Sequence, residues 1–240
     1  TIPAFLTRVD LQDRGQKWGQ YLRDCQNSTR TLADQMFTDT TSSSESEVVL
    51  TEFDPEAEIK VVAAALYGSS NRSEIELLSI ARSMSTEERI CVLRAYVGDR
   101  TNRRYRPGRA FERTSYCFDI LSDYGAFRDL QRHRMMTVEW QRLTTNHGYI
   151  TPELIDEVGE IKRWNNVMSR SEELFHTVNS ISGENVAQYV VPFAFKIRYV
   201  MQMNIREAFH LLELRTSMQG HPDYRRICQE MHTLIRDKAG

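Results

Sequence analysis

Arg132-His133-Arg134 places two guanidiniums around an imidazole, directly after a predicted helix and directly before a predicted strand. Such a triplet concentrates positive charge at the edge of a sheet. It suits a phosphate, or an electron-rich ring that becomes anionic on reduction. A solvated basic turn is the plainer alternative. The triplet sits in a wider basic stretch: from Arg100 to Arg142 there are ten arginines, no lysine and five acids, whereas residues 1–60 carry eleven acids against six bases. Of 31 basic residues in the chain only five are lysine, so the cationic chemistry is that of the planar fork that grips carboxylates and phosphates in pairs. With a formal net charge of -2, a localised positive segment favours a compact anionic ligand over a long nucleic acid, which is not expected as a partner. Ion pairs and subunit contacts are the other use such arginines could have.

Other familiar chemistry is missing. The 11 glycines include no GxGxxG or GxxxxGK arrangement, no His-x-x-x-His pair suggests zinc, and no serine lies in a nucleophile elbow. No metal is expected, and the catalytic residue stays unassigned. Cys25, Cys91, Cys117 and Cys228 are far apart, which reads as reduced intracellular thiols. Cys117, inside an apolar strand, is expected to be a buried structural thiol. The 240 residues suffice for one or two domains, and no apolar run approaches the ~20 residues that span a bilayer, so a cytoplasmic protein with no membrane association is expected. The start without Met reads as the later part of a longer polypeptide.

The elements that must hold the arginines follow from periodicity. Trp18, Tyr21, Leu22 and Cys25 mark a helix within residues 1–37, read as a helical extension or the tail of a preceding domain. Every side chain from Thr38 to Glu47 is polar or acidic, which predicts a flexible linker, and the main domain is placed at 48–240. Val48–Phe53 reads as a strand, Asp54-Pro55 as the start of a helix to about Leu66, and Ser73/Glu76 and Ser85 as the starts of two more. Arg100–Gly108 reads as an arginine-rich loop, Phe111–Leu121 as a strand, Asp123–Gln131 as a helix and Met135–Trp140 as a strand, with Trp140 in the core. Pro152 opens a long amphipathic region to about Ser180, and Tyr189–Met203 is ambiguous between helix and strand. Asn204 reads as the N-cap of a helix to Met218, and His221-Pro222-Asp223 as the start of the last helix. The order argues an α+β fold with one mixed or antiparallel curved sheet flanked by helices.

The triplet also resembles the start of the signature of flavin-dependent thymidylate synthases, Arg-His-Arg followed by seven residues and a serine. The family's Pro-Phe-Glu-His element precedes it by eighteen residues; here Ala110-Phe111-Glu112-Arg113 lies at that spacing. Its Asn-x-Arg helix ending in Leu-Arg is similar to Asn204-Ile-Arg206 through Leu214-Arg215, and its later Gln-x-Glu-Ile-Arg is loosely similar to His221–Arg225. The similarity spans about residues 48–238.

This resemblance implies a homotetramer with active sites between subunits, in which FAD takes a hydride from NADPH and a methylene from methylenetetrahydrofolate ends on C5 of dUMP. It implies flavin contacts at Arg132, His133, Arg134, Asn204 and Arg206, and nucleotide contacts at Arg132 and Arg215. Asn204 and Arg215 are eleven residues apart, roughly 16 Å along one helix stripe. The chain also departs from the family. The signature serine is Arg142, and the flanking Glu and Arg positions are Trp140 and Thr144; Arg142, as a substrate contact, or Glu139 could substitute for the lost groups. A nucleotide-binding arginine is Gln188, and a flavin-contacting asparagine is His210, which is kept as a cofactor-binding candidate. Two functions therefore stand open: a thymidylate synthase-like enzyme methylating dUMP to dTMP, or a degenerate, non-catalytic copy that completes an assembly with a more complete one. The expected partners are a small nucleotide and other copies, as a homo-oligomer or through an upstream copy.

Overall fold

The computed structural model describes residues 6, 7, 9, 11, 14–37 and 46–239. They divide into two compact units, residues 1–44 and 45–240. Residues 38–45, most of the expected linker, lie outside the described ones. In the first unit the predicted helix is α1, Gln16–Met36, in which no residue is buried.

The second unit is built on a four-stranded antiparallel sheet of order β1-β2-β4-β3. β2 (Ser115–Asp123) buries Tyr116, Phe118, Ile120 and Ser122, and β4 (Lys196–Asn204) buries Ile197, Tyr199, Met201 and Met203. That period of two turns one face toward the core. Their register pairs Ser115 with Asn204 and Asp123 with Lys196. β1 (Val48–Phe53) flanks β2, with an irregularity between Leu50 and Glu52, and β3 (Met136–Trp140) flanks β4. The core extends to Met168 and Phe175 of one helix and to Ile227, Cys228 and Met231 of the last one.

Between β1 and β2 the chain forms α2 (Ala57–Tyr67), α3 (Glu74–Ser83) and α4 (Thr86–Val97). Ser73/Glu76 and Ser85/Glu88 close complete capping boxes, so the start signals read from the sequence are the starts of α3 and α4. The start of α2 needs correction. Asp54 accepts from the Glu56 backbone N–H at 3.0 Å in a turn of its own, and the helix begins only at Ala57. The β2 expectation is also corrected: Arg109–Glu112 is a 3-10 turn, because Ala110 and Phe111 are drawn against Val61 in a separate small core, and pairing starts at Ser115.

After β2 come α5 (Tyr124–Leu130), β3, α6 (Glu153–Glu157), α7 (Ile161–Ser182), α8 (Glu184–Ala187), β4, α9 (Ile205–Arg215) and α10 (Pro222–Ala239). The long region after Pro152 is interrupted because Gly159 adopts φ +71°, a left-handed conformation that glycine tolerates. The ambiguous segment 189–203 resolves into a 3-10 turn at Gln188–Val190 and strand β4. Two side chains depart from expectation. Trp140 is 58% exposed on the edge strand, tilted against Phe127, rather than core. Cys117 is only half-buried; the buried thiol is Cys228, which burial pushes up to about 12 and so keeps protonated at neutral pH.

Candidate functional site

Two local devices fix the site. The Asp123 carboxylate accepts from the Ala126 N–H at 2.8 Å and starts α5; the turn that ends it closes with His133 N–H on the Leu130 carbonyl at 3.2 Å. The triplet leaves that turn with alternating direction: His133 is buried while Arg132 and Arg134 are exposed. The second device is Asn204, whose Oδ1 accepts from the Glu207 N–H at 2.8 Å and caps α9. Glu207, His210 and Arg215 then share a side of α9 that faces the triplet.

His133 is the point where the two meet. Its Nδ1 lies 3.0 Å from Glu207 Oε1, and its Nε2 accepts from Arg215 Nε at 3.1 Å. Arginine only donates, so this network assigns the ring proton to Nδ1. Arg215 also donates to the Asp129 carbonyl at 2.7 Å and lies over the Tyr224 ring at 5.2 Å. His210 reaches the same carboxylate, 3.4 Å from Glu207 Oε1, with its ring 5.2 Å from that of His133. Burial alone would raise the Glu207 carboxyl, but the hydrogen bond from His133 and the nearby charge of His210 outweigh it and hold the group below its usual 4.5. A depressed folded value stabilises the fold above the unfolded value and loses that contribution as pH falls through the folded one. Acid titration followed by near-ultraviolet circular dichroism should therefore show wild type losing stability relative to Glu207→Gln below about pH 4.5.

Across the N-terminal end of α9 lies the Arg100–Gly108 loop. Gly98, at φ +63°, ends α4 and releases it. At its far end Gly108 presses so close to Tyr96 that a Cβ would meet the phenol oxygen at 2.2 Å, and that oxygen accepts from the Ala110 N–H at 3.0 Å. Arg100 grips Glu213 of α9 with both arms, one at 2.6 Å, and Arg206 donates to the Pro107 carbonyl at 2.8 Å and to Glu112 at 2.9 Å. The loop and α9 enclose a cleft of about 170 Å³ walled by Met135 and Phe209 and lined by Arg100, Arg103, Arg106, Arg206, Glu112 and Glu207 among others. Four arginines face two carboxylates there. Arg103 and Arg106 are exposed and make no ion pair among the described residues. The same arginines, with Arg104 and His210, line an adjoining hollow. Asn204→Ala should remove the cap and cost about 1 kcal/mol, read as a shift in the urea midpoint without change of slope.

Of the residues singled out in the sequence, Asn204, Arg206 and His210 come together at this cleft. Arg132 does not join them. It is 70% exposed at its side chain, 3.5 Å from Asp129, at the rim of a second cleft of about 440 Å³ walled by Trp164, Phe193 and Tyr224. Arg134 is exposed and makes no ion pair among the described residues. Arg215 is turned inward as the clamp on His133. Arg142 pairs with Glu184 of α8 at 2.7 Å, away from both clefts. The Gln188 side-chain amide oxygen Oε1 accepts from the Leu143 N–H at 3.1 Å. Three nitrogen or oxygen groups, from His133, Glu207 and His210, lie within 4.8 Å of one another. Both ring nitrogens of His133 are already engaged and a guanidinium adjoins it, so the set does not suit a cation. Sequence reading missed Glu207, Arg103 and Arg106. The signals were a glutamate three residues after an N-cap and the density of arginines in a loop next to Pro107-Gly108.

A sequence model described as thymidylate synthase complementing protein matches residues 47–239. The chain belongs to that family. Among curated relatives it is 38% identical over 94% of its length to a UPF0159 protein of Chlamydia pneumoniae and 32% identical over 96% to one of Chlamydia muridarum. It spans only 43% and 44% of those two proteins. A UPF0159 protein of Thermoplasma acidophilum is 33% identical over 74% of the chain, which spans 36% of it. Both chlamydial alignments are too long to leave out α1, which precedes the stretch matched by the family. Among solved structures, the UMP/dUMP methylase PolB of Streptomyces cacaoi bound with 5-Br dUMP is similar with a TM-score of 0.62 at 17% identity, covering 79% of this chain and 89% of that one. At that identity the likeness speaks for the family fold. Among the described residues no helix is long and apolar enough to cross a membrane.

Proposed function

We propose that this chain is the flavin-nucleotide-binding module of a thymidylate synthase-type protein, and that it supplies the cofactor half of a site for reductive methylation of dUMP to dTMP. Membership of the family supports the reaction class. The observation that carries the assignment of halves is the contrast between two sets of arginines. Arg142 and Arg215, with the amide of Gln188, are spent on Glu184, His133 and the Leu143 backbone, which leaves little to hold a pyrimidine nucleotide. Arg103 and Arg106 line the cleft beside α9 and make no ion pair among the described residues. A diphosphate carrying two negative charges fits that lining, and FAD has one. In this reading Arg103 and Arg106 bind the diphosphate, Arg206 and Asn204 shape the cleft, Phe209 and Met135 keep water from its apolar side, and Glu207 with His133 stiffens its floor. The chemistry FAD supplies when bound is to hold the hydride taken from NADPH until the methylene from methylenetetrahydrofolate is reduced.

A partner module, either another copy or a further part of the longer polypeptide, then completes the dUMP side. In this proposal residues 1–37 are a helical extension or the tail of a preceding domain, 38–47 a linker and 48–240 the family domain, and the protein works in the cytoplasm. Calorimetry on the chain alone tests the division: FAD should bind saturably and dUMP should not. Binding of dUMP without FAD binding would reverse the assignment.

A further inference from the structure

The helix outside the family domain carries a second, independent pattern. Along α1, Trp18, Leu22, Cys25, Thr29, Leu32 and Met36 recur at steps of four, three, four, three and four residues, the spacing of a coiled-coil seam. All six seam residues are open to solvent, the four large ones from 44% for Leu22 to 71% for Met36. The five charged residues of the helix, Lys17, Arg23, Asp24, Arg30 and Asp34, fall on the opposite face. The six positions that flank the seam (Gly19, Tyr21, Gln26, Ser28, Ala33 and Gln35) are all uncharged. Flanking charges are what select an unlike partner in such pairs, and their absence also removes like-charge repulsion between identical helices.

The seam is self-complementary about its middle. Reversed on itself, it sets Trp18 against Met36, Leu22 against Leu32 and the small Cys25 against the small Thr29. A parallel pair would instead stack tryptophan on tryptophan at one end. We propose that α1 pairs antiparallel with α1 of a second copy of this chain, in a two-fold contact through these six residues. A 21-residue helix is about 31 Å long. Six such side chains from each copy bury on the order of 1,000 Å², near the lower limit of specific interfaces, so the pair dissociates on dilution.

The test uses the full chain with Cys91→Ser to remove another exposed thiol. Adding Thr29→Cys places a thiol opposite Cys25 of the second copy. Copper-phenanthroline oxidation should then give at least tenfold more covalent dimer on a non-reducing gel than the same chain with Thr29 retained. Adding Leu22→Glu and Leu32→Glu, which keep good helix formers but charge the seam, should abolish the dimer. The proposal is overturned if Thr29→Cys gives no dimer, if Cys25 alone cross-links equally well, or if the two glutamates leave the yield unchanged.

Discussion

His133→Ala should lower the free energy of unfolding by about 3 kcal/mol, because it takes a hydrogen-bond partner from each of two charged groups at once. The His133 and Glu207 side chains are 3% and 8% exposed. Removing the ring takes the donor from the Glu207 carboxylate and the acceptor from Arg215 Nε. Hydrogen bonds to charged groups contribute about 1.5–3 kcal/mol each, and a buried partner left unsatisfied costs its full desolvation. For a chain of this size the melting temperature should fall by about 6–12 °C. Arg134→Ala, one residue away and without an ion pair among the described residues, should stay within about 0.5 kcal/mol of wild type. A His133→Ala variant as stable as Arg134→Ala would mean that the Arg215–His133–Glu207 chain is not what ties α5 to α9.

The second large effect is on binding. Replacing both Arg103 and Arg106 by alanine should weaken FAD binding by about a hundredfold to ten-thousandfold. The figure follows from two charge-assisted hydrogen bonds at about 1.5–3 kcal/mol each, with tenfold in affinity for every 1.4 kcal/mol. Stability should hardly move, because neither guanidinium makes an ion pair among the described residues. Affinity lost together with fold would instead point to a structural role. Wild-type binding should also weaken as salt rises, and the doubly substituted chain should lose most of that dependence. A loss below fivefold would remove these two arginines from the cofactor site. Arg132→Ala provides the comparison: at the rim of the other cleft, it should alter FAD affinity far less.

The parts of this molecule that a local rule governs were legible in the sequence. Ser73/Glu76 and Ser85/Glu88 cap their helices, Asn204 caps α9, and the single parity of Tyr116, Phe118 and Ile120 is the buried face of β2. Where distant partners decide, the sequence misleads. Phe111 looks like strand by type, yet contact with Val61 and Tyr96 pulls it into a 3-10 turn. Trp140 looks like core, yet it lies on the edge strand β3. The triplet was visible as a charged corner, but the opposite directions of its side chains were not. They follow from the turn after α5 and from Glu207, 74 residues further on. Arg142 stood out for occupying the place of a serine, and only the packing of α8 shows that its charge is taken by Glu184.

In the proposed function the cleft between the arginine loop and α9 holds a diphosphate. Titration of the full chain with FAD and with riboflavin, followed by quenching of flavin fluorescence at fixed ionic strength, tests it most directly. FAD should bind saturably and at least a hundredfold tighter than riboflavin, which has the ring but no phosphate. Equal affinity for the two, or no binding of either, would contradict it.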